Sequence, residues 1–416
     1  MWKKIKLIVI KILRGTEKCT KTDMVYLAQG GFWLTVAQII SAASGFILAI
    51  AFANLLPKET YGTYKYILSV LSILTIPTLA GINTAVLRAA ARNEDGTLKL
   101  ALKTRISWGI LSALGCLIVA GYYYWQNNNV LMFVFLIAGL FLPFMDSVTV
   151  FDAYLQGKKR FDKTTKYNAV IKILATLAML ISLFFTHNIF LILLNYLFFY
   201  TFGRVFFLLV TFKKYVGNNV IDVTAINYGK HLTIISVLAN LVTQLDGLLM
   251  WHYLDATALA IYAMALAPVN QLRSLFKSVV TISMPKISEQ NKEIIKKTLP
   301  LKIIKAILIL IIPIVIFVIL MPYIYKIFFP QYLESVRYAQ YLTLVLILFP
   351  ERFLSIGTLL HAEKKLVYLT NILNPLLKAI WLFILLPIYG ITGAILATVA
   401  HQIVFIFIDY YYFKKI

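Results

Sequence analysis

Charge is scarce in these 416 residues, and acid is scarcest: 17 Asp and Glu face 40 Lys and Arg, together 14% of the chain. A soluble domain of this size carries nearer to 25%, so a water-exposed globule is excluded. Cysteine is rarer still. Cys19 lies in a basic tail and Cys116 in an apolar run, which leaves neither a disulfide framework nor a thiolate metal site. The five histidines are scattered and no HExxH occurs, so no metal centre is expected. There is no GxxxxGK[ST] phosphate loop, hence no ATP hydrolysis by this chain. No paired acids of the DxD kind mark a metal-dependent glycosyltransferase. No catalytic residue and no cofactor emerge from these absences.

What the chain has instead is hydrocarbon. It is 61% hydrophobic, with a mean hydropathy of +0.82. Apolar runs of about 20 residues recur, each long enough to cross a membrane core about 30 Å thick. The period-two alternation of a barrel strand is missing. These features predict an all-α polytopic membrane protein with twelve spans, at roughly 27–55, 61–88, 105–125, 130–155, 164–186, 188–212, 229–254, 258–283, 299–322, 338–361, 366–387 and 390–413. The 25 Tyr and 28 Phe are interface belt and core by default.

Sidedness follows from the loops. Thirty basic residues fall on one side and four (Lys58, Lys65, Lys326, Arg337) on the other, alternating loop by loop. That bias places both termini in the cytoplasm. It also explains the net charge of +23 without nucleic acid. The N-terminal MWKKIKLIVIKILRG has a short apolar core broken by Lys11 and Arg14 and no cleavage site, so residues 1–26 read as a basic amphipathic segment on the anionic leaflet.

The chain also repeats itself. Superposing Leu56 on Leu254 puts Tyr64 on Tyr262 and Gly62 on Ala260, an offset of 198. A second register, offset 205, matches Tyr154–Phe161 to Leu359–Leu366, each after the fourth span of its half. Six spans separate the equivalents, so the halves are parallel repeats about an axis along the membrane normal. The expected division is an N-lobe of helices 1–6 (27–212), a linker (213–228) and a C-lobe of helices 7–12 (229–416).

A charge at membrane depth costs about 2.5–3.5 kcal/mol on insertion scales and faces protein or water. The charges predicted there are Asp146, Lys172, Arg204, Asp246, Arg273, Glu351, Arg352 and Lys378. Offset 205 carries Asp146 onto Glu351 and Lys172 to the neighbour of Lys378. Equal depth suggests an Asp146–Lys172 pair and a Glu351–Lys378 pair. Two readings stay open for each residue: a structural ion pair between helices, or the lining of a cationic cavity that binds an anionic substrate through Lys172, Arg204, Arg352, Lys378 and Arg273. Arg273 also lies near enough to its helix end to snorkel. Arg88 and Arg92, at i and i+4, either snorkel or form a cytoplasmic gate. Asp246, flanked by Leu245 and Leu248, reads as a structural acid or as the carrier of a coupling proton or cation.

Three stretches carry a family resemblance: Leu55–Tyr64; Gln244–Asp246 with Ile261–Ala265; and Leu386–Thr398, LPIYGITGAILAT. Together they resemble the Wzx-type polysaccharide repeat-unit flippases of the MOP (MATE-like) exporter superfamily. Ala260 departs from the glycine that the family often has there. The resemblance implies two six-helix lobes around a cavity and alternating access. The implied substrate is a polyprenyl-diphosphate-linked oligosaccharide, carried to the outer leaflet of a bacterial inner membrane, as in O-antigen, lipopolysaccharide or capsule assembly. Membrane lipid, a proton or sodium gradient and a polysaccharide polymerase are the partners it leaves open. A drug–cation antiporter of the same superfamily would favour a more acidic cavity. A lipid-linked-sugar polymerase or ligase would need a large external loop, and the loops here are short.

Overall fold

The computed structural model describes residues 24–288, 292–355 and 364–415. The basic segment assigned to 1–26 lies outside them except for its last three residues. Among the described residues there is no strand. The helices are α1 (Met24–Leu55), α2 (Lys58–Leu74), α3 (Ile82–Ala91), α4 (Thr97–Trp125), α5 (Asn129–Met145), α6 (Val150–Gly157), α7 (Phe161–Phe185), α8 (Ile189–Tyr215), α9 (Ala225–Tyr253), α10 (Ala256–Ser288), α11 (Lys292–Phe328), α12 (Ser335–Val345) and α13 (Lys364–Lys415). Eight are long and apolar enough to cross a membrane, nine if the bent pair α2–α3 counts as one span. Every predicted span falls on helix. The tenth runs from α12 through a 3-10 stretch, Leu346–Glu351, with 356–361 outside the described residues. The last two spans are one continuous assignment, α13, broken at Gly390 (φ 59°), a left-handed conformation that glycine adopts without strain.

The sequence dictates where helices start. Pro57 precedes α2, and its fixed φ suits the first turn. The Asn128 side chain accepts from Leu131 N–H to cap α5, and Asp255 accepts from Ala258 N–H at 2.6 Å to cap α10. Proline also breaks spans. The second bends by 41° at a 3-10 turn, Ile76–Thr78, that contains Pro77. The fourth is interrupted at Ser147–Thr149, just after Pro143. The tenth is interrupted around Pro350. The acids that the repeat register superposes, Asp146 and Glu351, both sit at such breaks.

The helices fall into two compact units. One comprises Met1–Gly45, Pro77–Ile181 and Leu194–Thr233; the other Phe46–Ile76, Ser182–Leu193 and Ile234–Ile416. The first unit has its core where α3 packs on α6 and α4, around Ile82, Val86, Leu98, Phe151 and Leu155, all essentially buried. The segment 216–224 between α8 and α9 is tied to the loop after α3. Gly96 N–H donates to Val220 O at 2.8 Å. Asp95 takes the Lys158 ammonium at 2.6 Å and Gly217 N–H at 3.0 Å. In the second unit, α2 packs along α10, so the two equivalent turns meet. A Cβ on Gly62 would collide with the Ala256 carbonyl. Tyr66 stacks on Trp251 at 4.3 Å, and Lys58 pairs with Glu334 at 3.1 Å. Outward faces such as Ile118, Leu140 and Phe184 are apolar and exposed, as suits lipid as the solvent.

Gly62→Ala is expected to lower stability by about 1–3 kcal/mol, the usual cost of overpacking, because backbone rather than a flexible side chain must give way. Gly31→Ala, with open space around it, should leave the melting temperature in detergent unchanged. Equal melting temperatures for the two variants would refute the close α2–α10 approach.

Asp95 supplies a pH test at the basic-loop side. Burial pushes its pKa up, but the Lys158 and Gly217 hydrogen bonds and the Lys158 charge outweigh that and hold it below the usual carboxylate range. Its contribution is present above the unfolded carboxylate pKa near 3.9 and is lost as pH falls through the lower folded value. Asp95→Asn should therefore be less stable than the parent at neutral pH, with the gap closing in acid. A gap that stays constant down to that range would show the pair to be idle.

Candidate functional site

The intramembrane charges resolve into one cluster per unit. In the first, α8 brings Arg204 to the break of the fourth span. Its guanidinium donates to Met145 O at 2.9 Å and lies 3.6 Å from the Asp146 carboxylate. The helix ends at Met145, so that carbonyl has no helical partner, and a planar fork can serve it and the acid together. Lys172, on α7, lies instead over the Tyr200 ring, 5.8 Å from its centroid; Arg204 lies over the same ring at 5.3 Å. The Asp146–Lys172 pair expected from equal depth is thus an Asp146–Arg204 pair. Depth fixes height along the membrane normal but not which helix face a residue occupies.

Beside this lies a residue that sequence reasoning placed in a loop. Arg105 is 1% exposed. It donates to Thr78 O at 2.7 Å, Asn83 Oδ1 at 2.6 Å and Thr149 Oγ1 at 3.1 Å. All three acceptors are neutral, and Thr78 and Thr149 lie in the 3-10 breaks of the second and fourth spans. Thr149 in turn donates to Asp146 O at 2.6 Å. Arg105 therefore ties two broken spans together. The Pro77 and Pro143 breaks were the available signal, since each frees carbonyls that need a donor. Asp152 was also missed; it accepts from Asn168 at 2.9 Å and Gln156 at 3.3 Å.

In the second unit, Asp246 is not alone. Lys378 from α13 sits 3.0 Å from each of its carboxylate oxygens, and the Tyr262 hydroxyl donates to Oδ2 at 3.1 Å. The expected Glu351–Lys378 pair is accordingly absent. Glu351 instead lies within hydrogen-bonding reach of Asp409 and Gln402, and Ser355 donates to Asp409. Asp409, 1% exposed, was overlooked because it stands close to the chain end and reads as a helix terminus. Arg352 lies over the Phe349 ring at 5.1 Å, and Arg273 donates to Asn270 at 3.3 Å. Back in the first unit, Arg88 covers the Tyr228 ring at 4.5 Å and Arg92 stands 3.9 Å from Asp222. Both residues assigned to the cytoplasmic gate are thus engaged by the start of α9 and its leading link.

These features are those of a membrane carrier with ion-paired broken spans, and comparison with known proteins is consistent with that. The profile of the polysaccharide biosynthesis protein family matches residues 27–291, more than half of the chain. The chain belongs to that family, the Wzx-like flippases. It is therefore a transporter, not an enzyme. Among solved structures, an outward-facing multidrug resistance MATE transporter of the MOP superfamily is similar at TM-score 0.64, with 12% identity over 93% of this chain and 94% of that one. The lipid II flippase MurJ in an inward closed conformation gives TM-score 0.69, with 14% identity over 91% and 86%. A MOP transporter from Pyrococcus furiosus described as having reversed pocket polarity gives 0.60, with 12% identity over 93% and 95%. At these identities the likeness establishes the fold, a MATE-like helical bundle. No curated protein sequence matches significantly.

Arg105 gives the test of the cluster. Arg105→Leu orphans three buried acceptors at about 1–3 kcal/mol each, and Arg105→Lys keeps the charge but loses the fork. Both are expected to melt clearly lower than the parent flippase, with Lys the milder. Parent-like stability of Arg105→Leu would show that the breaks do not depend on it.

Proposed function

We propose that this flippase moves a polyprenyl-diphosphate-linked oligosaccharide from the cytoplasmic to the outer leaflet of the bacterial inner membrane, by alternating access, for surface polysaccharide assembly. Its two six-span halves, 27–212 and 229–416, move against each other, and both termini face the cytoplasm. The observation that carries the reading is the pair of cations over one ring. Lys172 and Arg204 flank Tyr200, and among the described residues Lys172 has no carboxylate within ion-pair distance. Lys172 at membrane depth thus lacks a carboxylate of its own, and a diphosphate or an acidic sugar supplies the negative charge. In the second unit, Arg273 and Arg352 supply cations of their own. Arg88 and Arg92 act at the cytoplasmic mouth. Asp146 is the counter-ion that Arg204 exchanges for substrate.

The drug–cation antiporter reading is weaker. Such a carrier needs an acid available to a cationic substrate, and Asp246 is already neutralised by Lys378. The product delivered to the outer leaflet is the donor that a polysaccharide polymerase consumes. An ion gradient, of protons or of sodium, supplies the drive.

In cells lacking the protein, lipid-linked repeat units should accumulate in the inner leaflet while surface polysaccharide disappears. The Lys172→Ala, Arg204→Ala double variant should complement at least about tenfold less well than the parent at equal abundance, the effect of losing roughly 1.4 kcal/mol of binding. Full complementation by that variant refutes the cationic site. Units that reach the outer leaflet but stay unpolymerised in the deletion strain refute flipping itself.

A further inference from the structure

We propose that the Lys378 ammonium acts as a tethered cation on the Asp246 carboxylate, so that no metal ion loads there. Asp246, Tyr262 and Lys378 come from α9, α10 and α13 of one compact unit. The ammonium lies 3.0 Å from both carboxylate oxygens; it donates a hydrogen bond to Oδ2, while the buried Oδ1 accepts none among the described residues and has only the ammonium's charge beside it. The Tyr262 hydroxyl fills a further acceptor position on Oδ2. Both charged side chains are largely buried, at 21% and 15% exposed. The carboxylate is therefore charge-compensated without any exchangeable ion.

The surroundings make exchange unfavourable. An entering sodium ion would have to evict Lys378 and leave a buried ammonium without its acid. The other charged groups near the pair are two arginines and two acids. Arg273 on α10 and Arg352 beyond α12 are close enough to act on one another and, for Arg273, on Asp246. The acids Glu351 and Asp409 are engaged with each other and with Ser355. His401 on α13 is held by Asn374 Oδ1 at 3.0 Å. A free cation would have to displace an ammonium that the chain itself holds in place and that cannot diffuse away. On this proposal sodium does not load at Asp246, and any ion that drives transport acts elsewhere.

This inference deepens the transport reading, but its test does not depend on that reading. The full chain, purified in detergent, is melted by following tryptophan fluorescence in sodium, methylammonium, tetramethylammonium or choline chloride at matched ionic strength. The parent should melt alike in all four. Lys378→Ala should gain a saturable rise in Tm from methylammonium, which restores an ammonium on Asp246, and none from tetramethylammonium, which is too large and donates no hydrogen bond. Should Lys378→Ala be obtainable only when made and purified in methylammonium, that dependence is itself the expected rescue. The double variant Lys378→Met, Asp246→Asn, which removes both charges, should fold and respond to none of the salts.

A saturable sodium response in the parent overturns the proposal. So does a folded Lys378→Ala that ignores methylammonium, or a double variant that responds like the single one. A protein that passes these tests while lipid-linked units remain correctly flipped in its absence would overturn the flippase reading and leave this inference standing.

Discussion

A charge inside a hydrocarbon layer has no water to stabilise it, and much of this protein's interior is arranged around that constraint. Asp246 is met by Lys378 on both oxygens and by a tyrosine hydroxyl. Asp146 is met by Arg204. Arg105 has no carboxylate in ion-pair reach among the described residues and is met by three neutral oxygens. Each solution joins separate spans: α9 to α13, α5 to α8, and α4 to the breaks of the spans before and after it. Since lipid tails are as apolar as leucine, burial supplies little force to bring spans together within the membrane. Ion pairs, hydrogen bonds and close backbone contacts must hold the helices instead.

Proline and the charges work as a pair. Pro77 and Pro350 lie within 3-10 breaks, and Pro143 lies in the last turn of the helix before one. A break frees carbonyls that would be costly to leave bare. Arg204 takes Met145 O and Arg105 takes Thr78 O, so the donors stand where the helices fail. Small residues serve the other requirement. Where Gly62 meets the Ala256 backbone, two helix starts approach more closely than any larger side chain permits, and Tyr66 stacking on Trp251 fills the space alongside.

A transporter built this way can rearrange without exposing a bare charge, provided each charged group moves with its partner or exchanges it for another ion. Lys172 stands apart from that rule. It shares Tyr200 with Arg204 and has no acid in ion-pair reach among the described residues. A ring face gives partial compensation to a cation, which suits a site whose proper counter-ion is brought by substrate. The second unit presents the opposite case, with its central acid already closed by an internal ammonium.

The sequence alone determined the class, the span count and the family. Those depend on local quantities: runs of about 20 apolar residues, basic loops on alternate sides, and turn motifs such as Leu56-Pro57 and Tyr61-Gly62 that keep their order along the chain. It also located Asp246, Arg204, Lys172 and Lys378 at membrane depth, because depth is a count of residues from a loop. Only the tertiary structure decided who pairs with whom. Helix rotation and packing choose the facing side, and no one-dimensional register contains them. Asp146 therefore went to Arg204 rather than Lys172, and Lys378 to Asp246 rather than Glu351. Arg105, tallied among the basic loop residues, and Asp409, inside the last predicted span and not singled out, proved buried because other spans pack over them.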